Sequence, residues 1–204
     1  MLNVAVLGSG RGSNFAAIVK AIQEKRIGDV RIAVVISNNS DSGILEIGQQ
    51  HGIPAVHLSQ KQFADESLFA AGLMEVMRRH GTDFIVLAGY MKRVPTPIIE
   101  QYRNRIINIH PALLPKFGGT GMYGMRVHEA VIAASEKTSG ATVHFVDEEY
   151  DRGGVVLQKS VAVAFDDTPE TLASKVLNIE HELLPEALRL FAEGKVHRDV
   201  IAVH

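Results

Sequence analysis

Five short apolar runs separated by four stretches of helical spacing fill the first 115 residues, and this alternation restricts the fold more than any other feature of the chain. The runs are Leu2–Leu7, Val30–Ser37, Ile53–Leu58, Phe84–Gly89 and Ile106–Ile109. They are nearly continuous in aliphatic residues, the pattern of strands covered on both faces. Between them lie Phe15–Ile22, Gly43–His51, Asp65–His80 and Pro97–Tyr102. In the third of these, Leu68, Leu73, Met74 and Met77 form an apolar stripe, and Gly81 stands where a C-cap belongs. Strands that alternate with helical segments predict an α/β fold with a doubly wound, mostly parallel sheet.

The second half departs from that rhythm. Met125–Lys137 has helical spacing and carries His128, Ser139 and Gly140 punctuate, and Ala141–Val146 alternates as a strand with His144 opposite Val143 and Phe145. A further strand over Val155–Val163 follows after too short a connection for a crossover, so the two are expected to pair as a hairpin. Thr168 and Pro169 are an N-cap and a first-turn proline. The helix they open runs to about Glu193, with Gly194 beyond it and Leu172, Val176, Ile179, Leu183, Ala187 and Phe191 as its buried stripe. The tail from Lys195 to His204 carries no motif. With no repeats and no linker, the chain reads as one domain, residues 1–204, with halves at 1–115 and 116–204.

Chemistry concentrates where the fifth run ends. Asn108 and His110 interrupt the isoleucines at a spacing of two, so both side chains leave one face of the strand, and Pro111 ends the ladder. In a parallel sheet ligands gather at the carboxyl ends of strands. An amide and an imidazole there supply an oxyanion donor and a general acid or base. The plainer alternative is a capped strand end with a satisfied histidine. Asp151, on the acidic stretch Asp147–Asp151 closed by Gly153 and Gly154, is the carboxylate placed to hold an imidazolium, although composition alone reads that stretch as an exposed turn. The glycine-rich segment Phe117–Gly124 reads as a mobile loop rather than scaffold.

A second site is signalled at the other end of the chain. Leu2–Leu7 runs directly into Gly8–Asn14 and then into a helix, an arrangement whose backbone N–H groups and helix dipole attract an anion. Phosphate binding is the leading reading, and a tight turn that binds nothing is the alternative. The pattern is neither a Walker loop, since Gly-Lys-Ser/Thr is missing, nor a complete dinucleotide fingerprint, since the third glycine is absent. Asn38 and Asn39 stand where a dinucleotide fold places an acid for the ribose, so a phosphate monoester is expected rather than NAD. Glu180 beside the apolar stripe of the last helix is either a solvated flank or a ligand contact. His51 and His57 read as structural.

Composition narrows the partners. A formal charge of -2 gives no basic field for nucleic acid or a membrane surface, so a small ligand is expected. The absence of cysteine removes thiol nucleophiles and cysteine metal sites, and no histidine pair has metal-ligand spacing. No apolar run approaches the ~18 residues of a membrane span, and the amino terminus lacks a cationic leader, so the expectation is a cytoplasmic protein.

Gly10–Asn14, Leu87–Met91, Asn108–Pro115, and Thr142–Val146 followed by Asp147–Gly154 together resemble the folate-dependent formyltransferases, over essentially the whole chain. The resemblance implies a Rossmann-like formyltransferase fold with an antiparallel C-terminal strand pair and a long C-terminal helix. It implies transfer of the formyl group of 10-formyltetrahydrofolate, as co-substrate and without a metal, to the amine of glycinamide ribonucleotide, a step of purine biosynthesis carried out by a monomer or homodimer. Asn108, His110 and Asp151 would be its catalytic trio, with His110 protonated. Gly12, Ser13, Asn14 and Glu180 would hold the ribonucleotide; Met91, Lys92, Arg93, Val94, Asn108, Asp147 and Tyr150 would line the folate site. The Leu114–Pro115 bond would be cis. The sequence departs from the family in a longer glycine loop at 117–124, in Glu66 near a family arginine, and in an apolar Leu177. Rival expectations are a formyltetrahydrofolate hydrolase, a methionyl-tRNA formyltransferase, for which no basic C-terminal domain is present, and a nucleotide-binding module without catalysis.

Overall fold

The aliphatic runs form strands. In the computed structural model, which describes residues 1–196, these are β1 (Leu2–Leu7), β2 (Val30–Ser37), β3 (Ala55–His57), β4 (Phe84–Leu87) and β5 (Ile106–His110), followed by β6 (Thr138–Phe145) and β7 (Val155–Ala162). Helices α1 (Ser13–Gln23), α2 (Gly43–Gln50), α3 (Glu66–Arg79), α4 (Thr96–Gln101), α5 (Met125–Ala133) and α6 (Pro169–Ala192) intervene. The seven strands are ordered β3-β2-β1-β4-β5-β6-β7. Pairs β1/β2, β1/β4 and β2/β3 are parallel and β6/β7 is antiparallel, so the sheet is mostly parallel with an antiparallel C-terminal pair, followed by a long C-terminal helix. The chain divides into two compact units, Met1–Ile107 and a second beginning at Asn108. The end of the tail, residues 197–204, lies outside the described residues.

The first unit is built on β1, whose Val4, Ala5, Val6 and Leu7 are fully buried because helices follow the strands on either side of it. Its register against β2 slips between Val4 and Ala5, where Ile32 and Val34 are the partners, so Ala33 is the extra residue. The strand order reverses between β1 and β4, the position where such sheets open a ligand crevice. The turn that leaves β1 is Gly8–Asn14 and the turn that leaves β4 begins at Ala88.

Two expectations in this unit are corrected. The third strand is shorter than Ile53–Leu58, because pairing to β2 spans only Val35–Ser37. The apolar stripe of α3 is rotated: Leu68 is 51% exposed and Met74 is half-buried, whereas Phe69, Ala70, Leu73 and Met77 face the core. Phe69, Leu73 and Met77 share the four-residue spacing, and the ring of Phe69 meets Phe63 edge-on at 5.8 Å, which fixes the inward face. Asp65 caps this helix by accepting the Leu68 N–H at 2.8 Å.

In the second unit α6 packs on β6, β7 and α5. Thr168 caps it, and it closes in a Schellman motif at Gly194 (φ +66), in which Lys195 N–H reaches Leu190 O at 2.9 Å. Phe191 is half-buried and packs its ring edge-on against Phe145 at 5.6 Å.

Helix α5 stops at Ala133 rather than Lys137. Ser135 adopts a left-handed φ of +52, and Glu136 N–H bonds back to Val131 O at 3.3 Å, another Schellman closure. Ser139 and Gly140 then lie inside β6 instead of punctuating it. Gly140 is required there by proximity, since a Cβ would stand 2.1 Å from Lys159 O on β7.

Candidate active site

In the first unit the glycines of the Gly8–Asn14 turn have distinct reasons. A Cβ on Gly8 would stand 2.9 Å from Ala88 O and 2.5 Å from Ile44 Cδ1. Gly12 has φ +80, and a Cβ there would approach Ile44 Cα to 2.7 Å, so α2 is packed hard against the turn. Helix α1 starts at Ser13, and its first intrahelical bond runs from Ala16 N–H to Gly12 O at 2.8 Å. The N–H groups of Ser13, Asn14 and Phe15 therefore belong to the first turn, where no helical carbonyl is available to them. Packing accounts for Gly8 and Gly12 whether or not a ligand binds; Gly10 and Arg11 are exposed, Gly12 and Ser13 half-buried and Asn14 buried.

Ser9 joins this turn to its neighbours. Its hydroxyl donates to Asn38 Oδ1 beyond β2 and accepts the Met91 N–H at 2.8 Å, while its own N–H donates to Gly89 O at 3.0 Å. Asn38 is thus engaged within the turn. Of the segment after β4, Met91, Lys92 and Arg93 are exposed, whereas Val94 is core at 3% exposure. His51 lies on the surface, its Nδ1 3.2 Å from Gln23 Nε2, and His57 is half-buried at the end of β3.

The second unit gathers Asn108, His110 and Asp151, together with a residue that sequence reasoning left without a role, His144. Asn108 and His110 leave β5 on one face. His110 Nε2 donates to Phe117 O at 2.8 Å, and its Nδ1 stands 3.6 Å from Asp151 Oδ2. Asp151 Oδ1 lies 3.4 Å from His144 Nε2, which is also 3.1 Å from Asn108 Nδ2. His144 Nδ1 donates to Phe145 O at 2.8 Å. Asp151 also accepts the Gly119 N–H at 2.9 Å.

Three local features build this cluster. Asp151 has φ +58, a left-handed turn that brings its carboxylate inward to a side-chain exposure of 10%. The acidic stretch is therefore not simply an exposed turn, although Tyr150 is exposed and Asp147 is only half-buried, accepting the Glu149 N–H at 2.9 Å. The start of the glycine loop is scaffold: Phe117 (φ +57) supplies the carbonyl on His110 and Gly119 (φ +94) the N–H on Asp151. That corrects the reading of 117–124 as loop without a structural part. Thr142 on β6 then clamps the turn after His110, donating to Ala112 O at 2.6 Å and accepting from Leu114 N–H and Gln158 Nε2. Leu114–Pro115 is cis, as the resemblance implied.

Burial is the dominant influence on His110 and pushes its imidazolium below the usual histidine range; the charge of His144 acts the same way, while the Asp151 carboxylate and the Phe117 carbonyl oppose it. The resting ring is thus held toward its neutral form. For Asp151, burial alone would raise its pKa. The neighbouring His144 ring, the charge of His110 and the Gly119 N–H together bring it below the usual carboxylate value. His128 on α5 is 5% exposed and pushed down by burial and by the charge of His110; its Nδ1 has no hydrogen-bond partner among the described residues. Glu180 is buried at 9% on α6, so it is not a solvated flank. The signal that could have found His144 is the one that singled out Asn108 and His110, a polar side chain inside an otherwise apolar strand.

An amide N–H and an imidazole on one face of a strand end, with a carboxylate 3.6 Å from the imidazole, can stabilise a developing oxyanion and carry a proton between two nitrogens. The chain matches the formyl transferase family over residues 2–188. It is 42% identical, over 95% of its length, to the chloroplastic phosphoribosylglycinamide formyltransferase of Arabidopsis thaliana, and spans 66% of that relative, just under two thirds. It is 33% identical to the phosphoribosylglycinamide formyltransferase of Bacillus subtilis, over 93% of this chain and 94% of the other. Among solved structures it resembles glycinamide ribonucleotide transformylase 1 from Symbiobacterium toebii, with a TM-score of 0.91 and 39% identity over 98% of this chain and 92% of that one. No described helix is long and apolar enough to cross a membrane.

Proposed function

The chain belongs to the formyl transferase family, and from that we propose that it transfers the formyl group of 10-formyltetrahydrofolate to the amine of glycinamide ribonucleotide, giving formylglycinamide ribonucleotide and tetrahydrofolate. The amine nitrogen attacks the formyl carbon and forms a tetrahedral intermediate whose former carbonyl oxygen carries the negative charge. Asn108 donates an N–H to that oxygen. Neutral His110 takes the proton released by the attacking nitrogen and passes it to the folate nitrogen, whose bond to the formyl carbon then breaks. Asp151 stabilises the imidazolium while it exists. No covalent enzyme intermediate is required.

The observation that supports this reading best is the spacing of His110 Nδ1 from Asp151 Oδ2, 3.6 Å. With Nε2 donating to Phe117 O, a neutral His110 has its lone pair on Nδ1, beside the carboxylate that favours its protonation. In the same proposal Gly12, Ser13, Asn14 and Glu180 hold the ribonucleotide, and Met91, Lys92, Arg93, Val94, Asn108, Asp147 and Tyr150 line the folate site. A single formyltransferase domain, monomeric or homodimeric and cytoplasmic, completes it.

The test is to incubate purified protein with 10-formyltetrahydrofolate and follow deformylated folate with and without glycinamide ribonucleotide. Release that needs the ribonucleotide and yields its formylated product is the expected result. Equal release in its absence would make the protein a hydrolase, and binding without release would leave only a binding module.

A further inference from the structure

We propose that His144 is a positioning residue for formyl transfer, which the neighbouring Phe145 carbonyl holds as its Nδ1–H tautomer so that Nε2 accepts one N–H of Asn108 and aims that amide. The inference rests on the formyl-transfer reading and extends it to a residue that touches no reacting atom.

The backbone sets the tautomer. Phe145 O can only accept, and it lies 2.8 Å from His144 Nδ1, so that nitrogen carries a hydrogen. A neutral ring then has its lone pair at Nε2. The nearest polar atom to Nε2 is Asn108 Nδ2 at 3.1 Å, and an amide nitrogen only donates. Turning the Asn108 amide over would set Oδ1 against that lone pair. The alternative tautomer of His144 would relieve this clash but would set a second lone pair against Phe145 O. A main-chain carbonyl thus dictates a tautomer, the tautomer dictates the direction of an amide, and the amide keeps its remaining N–H for the oxyanion.

His144 is 2% exposed, so water does not compete for Nε2. The titratable groups that bear on the ring are Asp151, whose Oδ1 lies 3.4 Å from Nε2, Asp147 and His110. A second proton on the ring would make Nε2–H a donor to Asp151, and Asn108 would lose its acceptor. The aimed state is therefore the neutral one.

Two measurements test this. The first is a kinetic cycle of Asn108→Ala, His144→Phe and the double variant in the full chain. Phenylalanine keeps a ring in place and removes the acceptor. His144→Phe is expected to lower kcat by up to about 10²-fold, no more than the loss of Asn108 itself, with little change in KM for either substrate. In the Asn108→Ala background the same change is expected to cost no more than roughly 2-fold. His144→Gln, which can offer Oε1 near the Nε2 position, is expected to recover part of the loss. An equal cost of His144→Phe in both backgrounds, or no cost at all, overturns the proposal.

The second measurement is the ¹⁵N spectrum of histidine-labelled wild-type protein at neutral pH, where the His144 ring is expected as Nδ1–H and an Nε2–H ring overturns the proposal. It needs no activity. If the wild type does not transfer the formyl group, the reaction reading fails on its own, and the labelled ring still decides the tautomer on which this inference stands.

Discussion

Asp151 shows what one residue contributes to this site. Its carboxylate accepts the Gly119 N–H and faces His110 and His144 through its two oxygens. Asp151→Asn keeps the shape and the capacity to accept from Gly119 but removes the charge that opposes the burial of the His110 imidazolium. The fold is expected to persist, by circular dichroism and thermal denaturation, while kcat falls by roughly 10²-fold or more. Wild-type turnover in this variant would remove Asp151 from the proton transfer. Asn108 and His110 were legible in the sequence because a two-residue spacing within an isoleucine run leaves little doubt about their shared face. His144 was not, because a single histidine in an alternating strand names no partner, and its partner lies 36 positions away. Nor was the environment of the His110 ring legible, since the sequence displays Asp151 but not the burial that opposes it.

Glycines decide how the elements of the second unit meet, and here a one-dimensional reading is ambiguous. Gly140 reads equally as a break or as a close approach, and the structure makes it the second. Gly153 is the sharper case, because a Cβ on it would stand 1.9 Å from Phe145 O, the carbonyl that takes the His144 Nδ1–H. Backbone cannot yield as a flexible side chain does, so the Asp147–Gly154 turn must move. Gly153→Ala is therefore expected to lower stability by about 1–3 kcal/mol in urea denaturation. It should also reduce turnover beyond what the loss of folded protein explains, since the displaced carbonyl fixes His144 and the displaced turn carries Asp151. Unchanged stability and turnover would show that the turn tolerates the methyl group. The rotated stripe of α3 has a similar origin. Leu68 and Phe69 fit a helical period equally well, and only the contact with Phe63 selects the inward face.

For the molecule as a whole, alternation of strands and helices was legible because each run announces its own burial, and the short link between β6 and β7 announced their antiparallel pairing. The order β3-β2-β1-β4-β5-β6-β7 was not, since pairing partners are set by packing between distant segments. A property of the same scale is the response of stability to acid. Burial pushes His110, His128 and His181 below the usual value of 6.5, so the folded protein binds these protons less readily than the unfolded chain. Between the lowered values and 6.5 the unfolded state holds more protons, and stability must rise with pH across that window. The contribution is complete above about pH 6.5 and is lost as the pH falls through the window, whereas Asp151, lowered from 3.8, acts only in a more acidic range. The melting temperature is thus expected to climb as the pH rises toward about 6.5 and then level off. His128→Gln should flatten the climb, because it removes a buried ring whose Nδ1 has no hydrogen-bond partner among the described residues. A melting temperature that is constant from neutral pH down to about pH 5 would mean that these three rings gain protons as easily folded as unfolded.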